Sequence, residues 1–136
     1  MRTTTTRLAT ADDVAGVLEV DHIEGRGDEV RHAIHEGRCF VAEKDSEIVG
    51  FCVGGRLFAF AFLELLVVAP DHRRQGIGTL LVQAWERSAE TSKLFTSTNE
   101  SNIPMQRLCE GLGYVRTGFI ENLDEGDPEI FYFRVR

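Results

Sequence analysis

The part of the chain with the most chemical content is residues 65–79. An apolar run, Leu65-Leu66-Val67-Val68-Ala69, ends at Pro70, and Arg73-Arg74-Gln75-Gly76-Ile77-Gly78-Thr79 follows shortly after. Glycines at such a junction remove side chains, so successive backbone N–H groups can approach a ligand. A helix beginning there adds the partial positive charge of its N-terminus, which favours phosphate. Arg73 and Arg74 supply the mobile charge that a pyrophosphate or a 3′-phosphate needs. The same residues also suit a plain strand-to-helix turn with solvated arginines. A dinucleotide fingerprint is excluded, because the third glycine and an acid on a following strand are missing, and no Gly-Lys-Ser/Thr completes a phosphate loop.

Glu64 sits inside Phe60-Ala61-Phe62-Leu63-Glu64-Leu65-Leu66. A charge within an apolar strand is either a base held for chemistry or a solvated strand end. His32 and His35, three apart on an expected helix, have no third ligand nearby and read as a solvated face; no metal is expected. Glu121, Asp124, Glu125, Asp127 and Glu129 crowd a short segment without a base, as a solvated hairpin loop or as a negative rim that attracts a cationic amine.

These residues need elements to position them. Thr10 and Asp13 form a capping-box pattern ahead of Val14, Val17 and Leu18 at helical spacing. A second helix is expected within 26–37, on the thin stripe Val30, Ala33 and Ile34. Residues 39–43 and 48–54 flank the polar turn Lys44-Asp45-Ser46-Glu47 and predict a hairpin. A third strand over 60–68 stops before Pro70, which cannot continue a central ladder. Ile77, Leu80, Leu81, Ala84, Trp85 and Ser88 then recur at helical spacing. A strand over 93–98, a helix carrying Met105, Leu108, Cys109 and Leu112 and stopped by Gly113, and closing strands over 114–121 and 129–135 complete the order ααβββαβαββ. That is a mixed α/β single sheet with helices on both faces.

Composition bounds the function classes. The 136 residues suit one domain over 1–136, and net charge −7 speaks against nucleic acid, which needs a basic face. The longest uninterrupted apolar stretch, Leu57 to Leu63, falls far short of the ~20 residues that span a bilayer. The start of the chain has no apolar core of a signal peptide, and Cys39, Cys52 and Cys109 form no Cys-x-x-Cys pair, so reduced thiols and a cytoplasmic setting are expected.

With these residues in hand, the sequence resembles the GNAT acetyltransferase superfamily. Arg73-Arg74-Gln75-Gly76-Ile77-Gly78 matches the family's acetyl-CoA motif, Arg/Gln-x-x-Gly-x-Gly/Ala after a strand. Downstream, Asn102-Ile103-Pro104-Met105-Gln106-Arg107-Leu108-Cys109-Glu110-Gly111-Leu112-Gly113-Tyr114 resembles Asn…Leu-Tyr-Glu-x-Leu-Gly-Phe. The element order is also the family's, mostly antiparallel, so the resemblance covers essentially the whole chain.

The resemblance implies that an amine attacks the thioester of acetyl-CoA directly in a ternary complex. By carry-over, the backbone of Leu66 and Val68 would bond the pantetheine arm, and the amides of Arg74, Gln75, Gly76, Ile77, Gly78 and Thr79 would hold the pyrophosphate. Arg73 would add charge to the same cofactor site. An N–H at Val67 or Val68 would meet the thioester oxygen as it becomes negative, and Asn102 would bond the cofactor arm. Glu64 matches a position where some members carry a general-base glutamate. Two positions depart from the pattern. The usual thiol-protonating tyrosine falls on Cys109, which reads better as core filling than as an acid; water or Tyr114 would serve instead. A glutamate that some protein-modifying relatives place on the following strand falls on Ser97. His22, Glu24 and Asp28 lie between the first two helices, where relatives shape the acceptor pocket.

The expectation is a cytoplasmic, acetyl-CoA-dependent N-acetyltransferase acting on a small, cationic primary amine, as a monomer or homodimer, with no nucleic-acid or membrane partner. The alternatives are a protein or peptide acetyltransferase and a catalytically silent acyl-CoA-binding module.

Overall fold

A computed structural model describes residues 3–21 and 25–136. The chain forms β1 (Thr5–Leu8), α1 (Val14–Val20), α2 (Gly27–His35), β2 (Cys39–Lys44), β3 (Glu47–Leu57), β4 (Phe60–Val68), α3 (Ile77–Ser88), β5 (Lys93–Asn99), α4 (Ile103–Gly111), β6 (Val115–Ile120) and β7 (Glu129–Val135). One seven-stranded sheet runs β1-β2-β3-β4-β5-β7-β6. Among the described residues only β4 and β5 pair in parallel, and the other neighbours are antiparallel.

The expected order needs one correction: a first strand, β1, precedes α1. Thr5-Thr6-Arg7-Leu8 shows no apolar alternation and stays largely exposed, so its sequence carries no strand signal. The strand exists because β2 offers it a ladder, Thr5 opposite Glu43 through Leu8 opposite Phe40. A fork of Arg7 onto Asp13, at 2.7 and 2.9 Å, ties it to the chain ahead of α1. Asp13 also accepts the Thr10 backbone N–H at 2.7 Å, the reciprocal half of the capping pattern.

The β2–β3 turn forms at the predicted residues, with Asp45 and Ser46 both at positive φ (54° and 64°), which matches the right-handed twist of a hairpin. Two apolar cores flank the sheet. Under α3 and α4 lie Cys52, Leu63, Ile77, Leu81, Trp85, Leu94 and Cys109, among others. Under α1 and α2 lie Val17, Val30, Ala33, Val41, Phe51 and Val53. Each fully buried large side chain such as Phe51 or Leu81 contributes about 1.5–3 kcal/mol.

Candidate active site

The sheet parts in its middle. β4 and β5 pair only at Ala61–Leu94, Phe62–Phe95 and Leu63–Thr96. On the other flank of β4, Leu65 faces Val53 while Leu63 faces Gly54, so Glu64 is the extra residue of a β-bulge. A bulge bends its strand and increases its twist, and β4 leaves β5 at this point. Ala69 donates its N–H to Val49 at 2.8 Å, which by alternation turns the odd-numbered residues of this stretch into the β3 ladder. Leu66 and Val68 therefore aim their backbone groups at the side from which β5 has departed. The Val68 carbonyl accepts a long bond, 3.4 Å, from Arg73 Nε.

Below this seam lies the glycine turn. A 3-10 turn over Pro70–His72 leads to Arg73, then to Arg74 at φ 63° and Gly76 at φ 79°. Arg74 is thus held in the left-handed region, which is costly for a side chain and common at ligand sites. Gly76 is the N-cap of α3 and no side chain caps that helix. Its need for glycine is conformational, since a Cβ there would meet nothing within 4 Å. Gly78 differs: a Cβ would stand 3.3 Å from Leu108 Cδ2 of α4. Ile77 is buried, anchoring the turn to the core. Thr79 follows within the first turn of α3. Lys44, at the end of β2, donates to Gln75 Oε1 at 3.0 Å and brings a third cation to the turn, which sequence reading overlooked.

Glu64 lies on the α1/α2 side. Its carboxylate occupies the space where a Cβ on Gly55 would sit, 1.9 Å from Oε1. The neighbouring Gly54 is kept bare by Trp85, 2.8 Å from where its Cβ would be. Adjacent glycines in a strand signal close approach, so Gly54-Gly55 was the overlooked pointer to this bulge. Arg38 Nη1 stands 3.6 Å from Glu64 Oε2 while donating to the Gly54 carbonyl at 2.6 Å. Burial raises the Glu64 carboxyl above its ordinary range, and Arg38 pulls it partly back. It is 42% exposed, open enough to meet a substrate.

Cys109 is 3% exposed and lines a small apolar cavity with Leu63, Val82, Met105, Leu108 and Leu112. Burial pushes its thiol up to about 12. Tyr114 is equally buried, and its hydroxyl donates to Glu86 Oε2 at 2.6 Å. Arg134 donates to the same oxygen at 3.0 Å. Burial first, then Glu86, raises the phenol well above its ordinary value. Asn102 caps α4, its Oδ1 accepting the Met105 N–H at 3.2 Å. Ser97 donates to Glu129 Oε2 at 2.6 Å, so a carboxylate from β7 stands beside the position where some relatives carry their own. In the acidic segment, Asp124 accepts from Asn99 Nδ2 at 2.8 Å and Asp127 from Ser101 Oγ at 2.6 Å. His22 and Glu24 lie outside the described residues; Asp28 is in the first turn of α2. His32 and His35 are exposed on α2, and among the described residues no group of three His, Cys, Asp or Glu gathers to hold a metal. Among them, too, no helix is long and apolar enough to cross a membrane.

A sheet that parts beside an uncapped helix start leaves strand and helix backbone groups free for an extended arm and a phosphate, with a glutamate at the bulge nearby. The acetyltransferase (GNAT) family model matches residues 8–114, and the chain belongs to that family. It is 36% identical to a GNAT-family acetyltransferase from Bacillus cereus ATCC 10987, with TM-score 0.93 over 98% of both chains. A protein from Bacillus anthracis str. Ames, solved in complex with acetyl coenzyme A, shares the fold at 16% identity and TM-score 0.83, over 98% of this chain and 100% of that one. A Salmonella typhimurium protein solved with its cofactor acetyl-CoA does so at 18% identity and TM-score 0.78, over 97% and 93%. No curated protein matches the chain in sequence.

Proposed function

We propose that the protein is an acetyl-CoA-dependent N-acetyltransferase acting on a small, cationic primary amine in the cytoplasm. The observation that carries this reading is the parting of β4 from β5 at Glu64, directly above the uncapped start of α3. Leu66 and Val68 would receive the pantetheine arm as an added strand. Arg73, Arg74, Gln75, Gly76, Ile77, Gly78 and Thr79 would hold the pyrophosphate, and the amide group of Asn102 would reach the arm from α4. The N–H of Val68 would stabilise the thioester oxygen, since that of Val67 is turned into the β3 ladder.

Glu64 takes the proton from the substrate ammonium, directly or through a water. The freed nitrogen lone pair attacks the thioester carbon, giving a tetrahedral intermediate with a negative oxygen and a positive nitrogen; collapse breaks the C–S bond, the second nitrogen proton leaves to water, and amide and CoA thiolate remain. A raised carboxyl suits the first step, since a base is most effective when its pKa nears the working pH. The thiolate takes its proton from water. Cys109 serves the core, and the Tyr114 hydroxyl is committed to Glu86.

The test is CoA release against a panel of amines, with product mass confirming an N-acetyl group. Release with amines and none with alcohols or water supports the reading; acetyl-CoA binding without transfer to any amine overturns it in favour of a silent binding module.

A further inference from the structure

The two faces of the sheet are unequally covered around the seam. Leu63, Leu94, Ile130 and Tyr132 point beneath α3 and α4. Their neighbours point the other way, where α1 and α2 pack on β2 and β3, leaving the Phe rings of β4, β5 and β7 outside both cores. Phe62 stacks on Phe131 at 6.0 Å, and Phe95 on Phe133 at 5.9 Å, with ring planes inclined by 28° and 26°. Phe62 and Gly55 are opposite each other in the β3–β4 register, so they share a face, and the bare Gly55 is where the Glu64 carboxylate lies. A half-buried aromatic floor, with no helix of either core over it, therefore runs up to the candidate base.

That floor is suited to a cation as well as to a ring. Lys93 Nζ already lies 5.7 Å from the Phe60 centroid, a cation–π contact at the far end of the floor. At the near end the polar groups are the Glu64 carboxylate and the Ser97–Glu129 pair, with Arg38 3.6 Å from Glu64 Oε2 and also bonded to Glu36 at 2.9 Å and to the Gly54 carbonyl. Positions 62 and 64 are roughly 6.6 Å apart along a strand rising roughly 3.3 Å per residue, a gap that a short alkyl tether bridges.

Resting on the amine-transfer reading above, we infer that the acceptor is an arylalkylamine, its ring laid on the Phe62–Phe131 floor and its ammonium directed at Glu64. Charge complementarity selects this occupant over a neutral apolar partner, because the floor ends on carboxylates.

The experiment compares kcat/KM for a phenylalkylamine with that for ethylamine, spermidine and a short peptide, in the wild type and in Phe62→Leu and Phe131→Leu. The phenylalkylamine is expected to lead by tenfold or more. Each leucine variant should lower the ratio of phenylalkylamine to ethylamine by about 3–10-fold, with the KM for acetyl-CoA held. Should a variant fail to fold, a phenylalkyl alcohol on the wild type must inhibit competitively against the amine. Equal ratios, a preference for spermidine or the peptide, or a dimer in sedimentation velocity that Phe131→Glu dissociates would each overturn the inference. Calorimetry of the phenylalkylamine on CoA-loaded protein separates the two readings. Binding without turnover of any amine supports the aromatic site while the transfer reading fails; turnover of amines with a flat ratio does the reverse; neither binding nor turnover overturns both.

Discussion

The two halves of the sheet, meeting at the β4–β5 seam, have different tasks. β1 to β4 form a continuous antiparallel ladder, with α1 and α2 on one side and α3 on the other. β5, β7 and β6 form a second ladder covered on one side, ending in an edge strand exposed along its whole length. The first half buries apolar surface on both faces and holds the domain together. The second has half-buried phenylalanines on its other face, and it meets β4 through three parallel residue pairs, the Thr96 hydroxyl on the Leu63 carbonyl and the Phe62–Phe131 stack. The parallel ladder ends at Leu63–Thr96. It leaves backbone groups of β4 unspent where a cofactor can use them.

The largest effect expected from breaking the seam's chemistry is at Glu64. Glu64→Gln keeps the shape and removes the basicity, so kcat should fall about 10²-fold or more while acetyl-CoA affinity, measured by calorimetry, hardly moves. In the wild type the raised carboxyl must be ionised to act. The acidic limb of the kcat/KM profile should therefore lie at a pH above the ordinary glutamate value of about 4.3. A rate that survives at every pH would make Glu64 structural.

The covered half should respond in stability and not in rate. Asp13→Asn removes the partner of Arg7 and a capping acceptor, at a cost of about 1–3 kcal/mol by denaturant melts. Arg7 holds the Asp13 carboxyl well below its ordinary range. Its stabilisation is thus complete above the unfolded value, near 4, and is lost as pH falls through the lower folded value. Acid melts of the variant should show a shallower loss in that window.

The glycine turn belongs to both halves and gives an intermediate effect. Gly78→Val should weaken acetyl-CoA binding about tenfold by crowding the phosphates. The contact a Cβ would make with Leu108 supplies the contrast. If Leu108→Ala in the same chain restores affinity, helix packing and not the phosphate approach was responsible. The smallest effect is expected at Cys109: Cys109→Ala should cost about 1 kcal/mol of stability, with the rate per folded molecule preserved. A large loss of turnover in a stable, cofactor-competent variant would return the thiol to the proton-transfer step.

Much of this architecture is legible in the residues themselves. The helical stripe from Ile77 to Ser88, the Asp45-Ser46 turn, the stop at Pro70 and the Gly76-Ile77-Gly78 turn are local patterns, set by side-chain period, backbone freedom and the missing N–H of proline. Packing of Cys109 is also local, since it shares a stripe with Met105, Leu108 and Leu112. β1 is not legible, because its stability comes from a partner more than thirty residues away and from Arg7 on Asp13. Nor is the placing of Glu64. The chain shows a charge in an apolar strand, but only pairing with β3 makes it a bulge residue, and only bare Gly55 gives its carboxylate room. Register, the approach of Lys44 to Gln75 and the commitment of Tyr114 to Glu86 depend on contacts between distant segments, whose geometry is set when the whole sheet closes and not by any local run of residues.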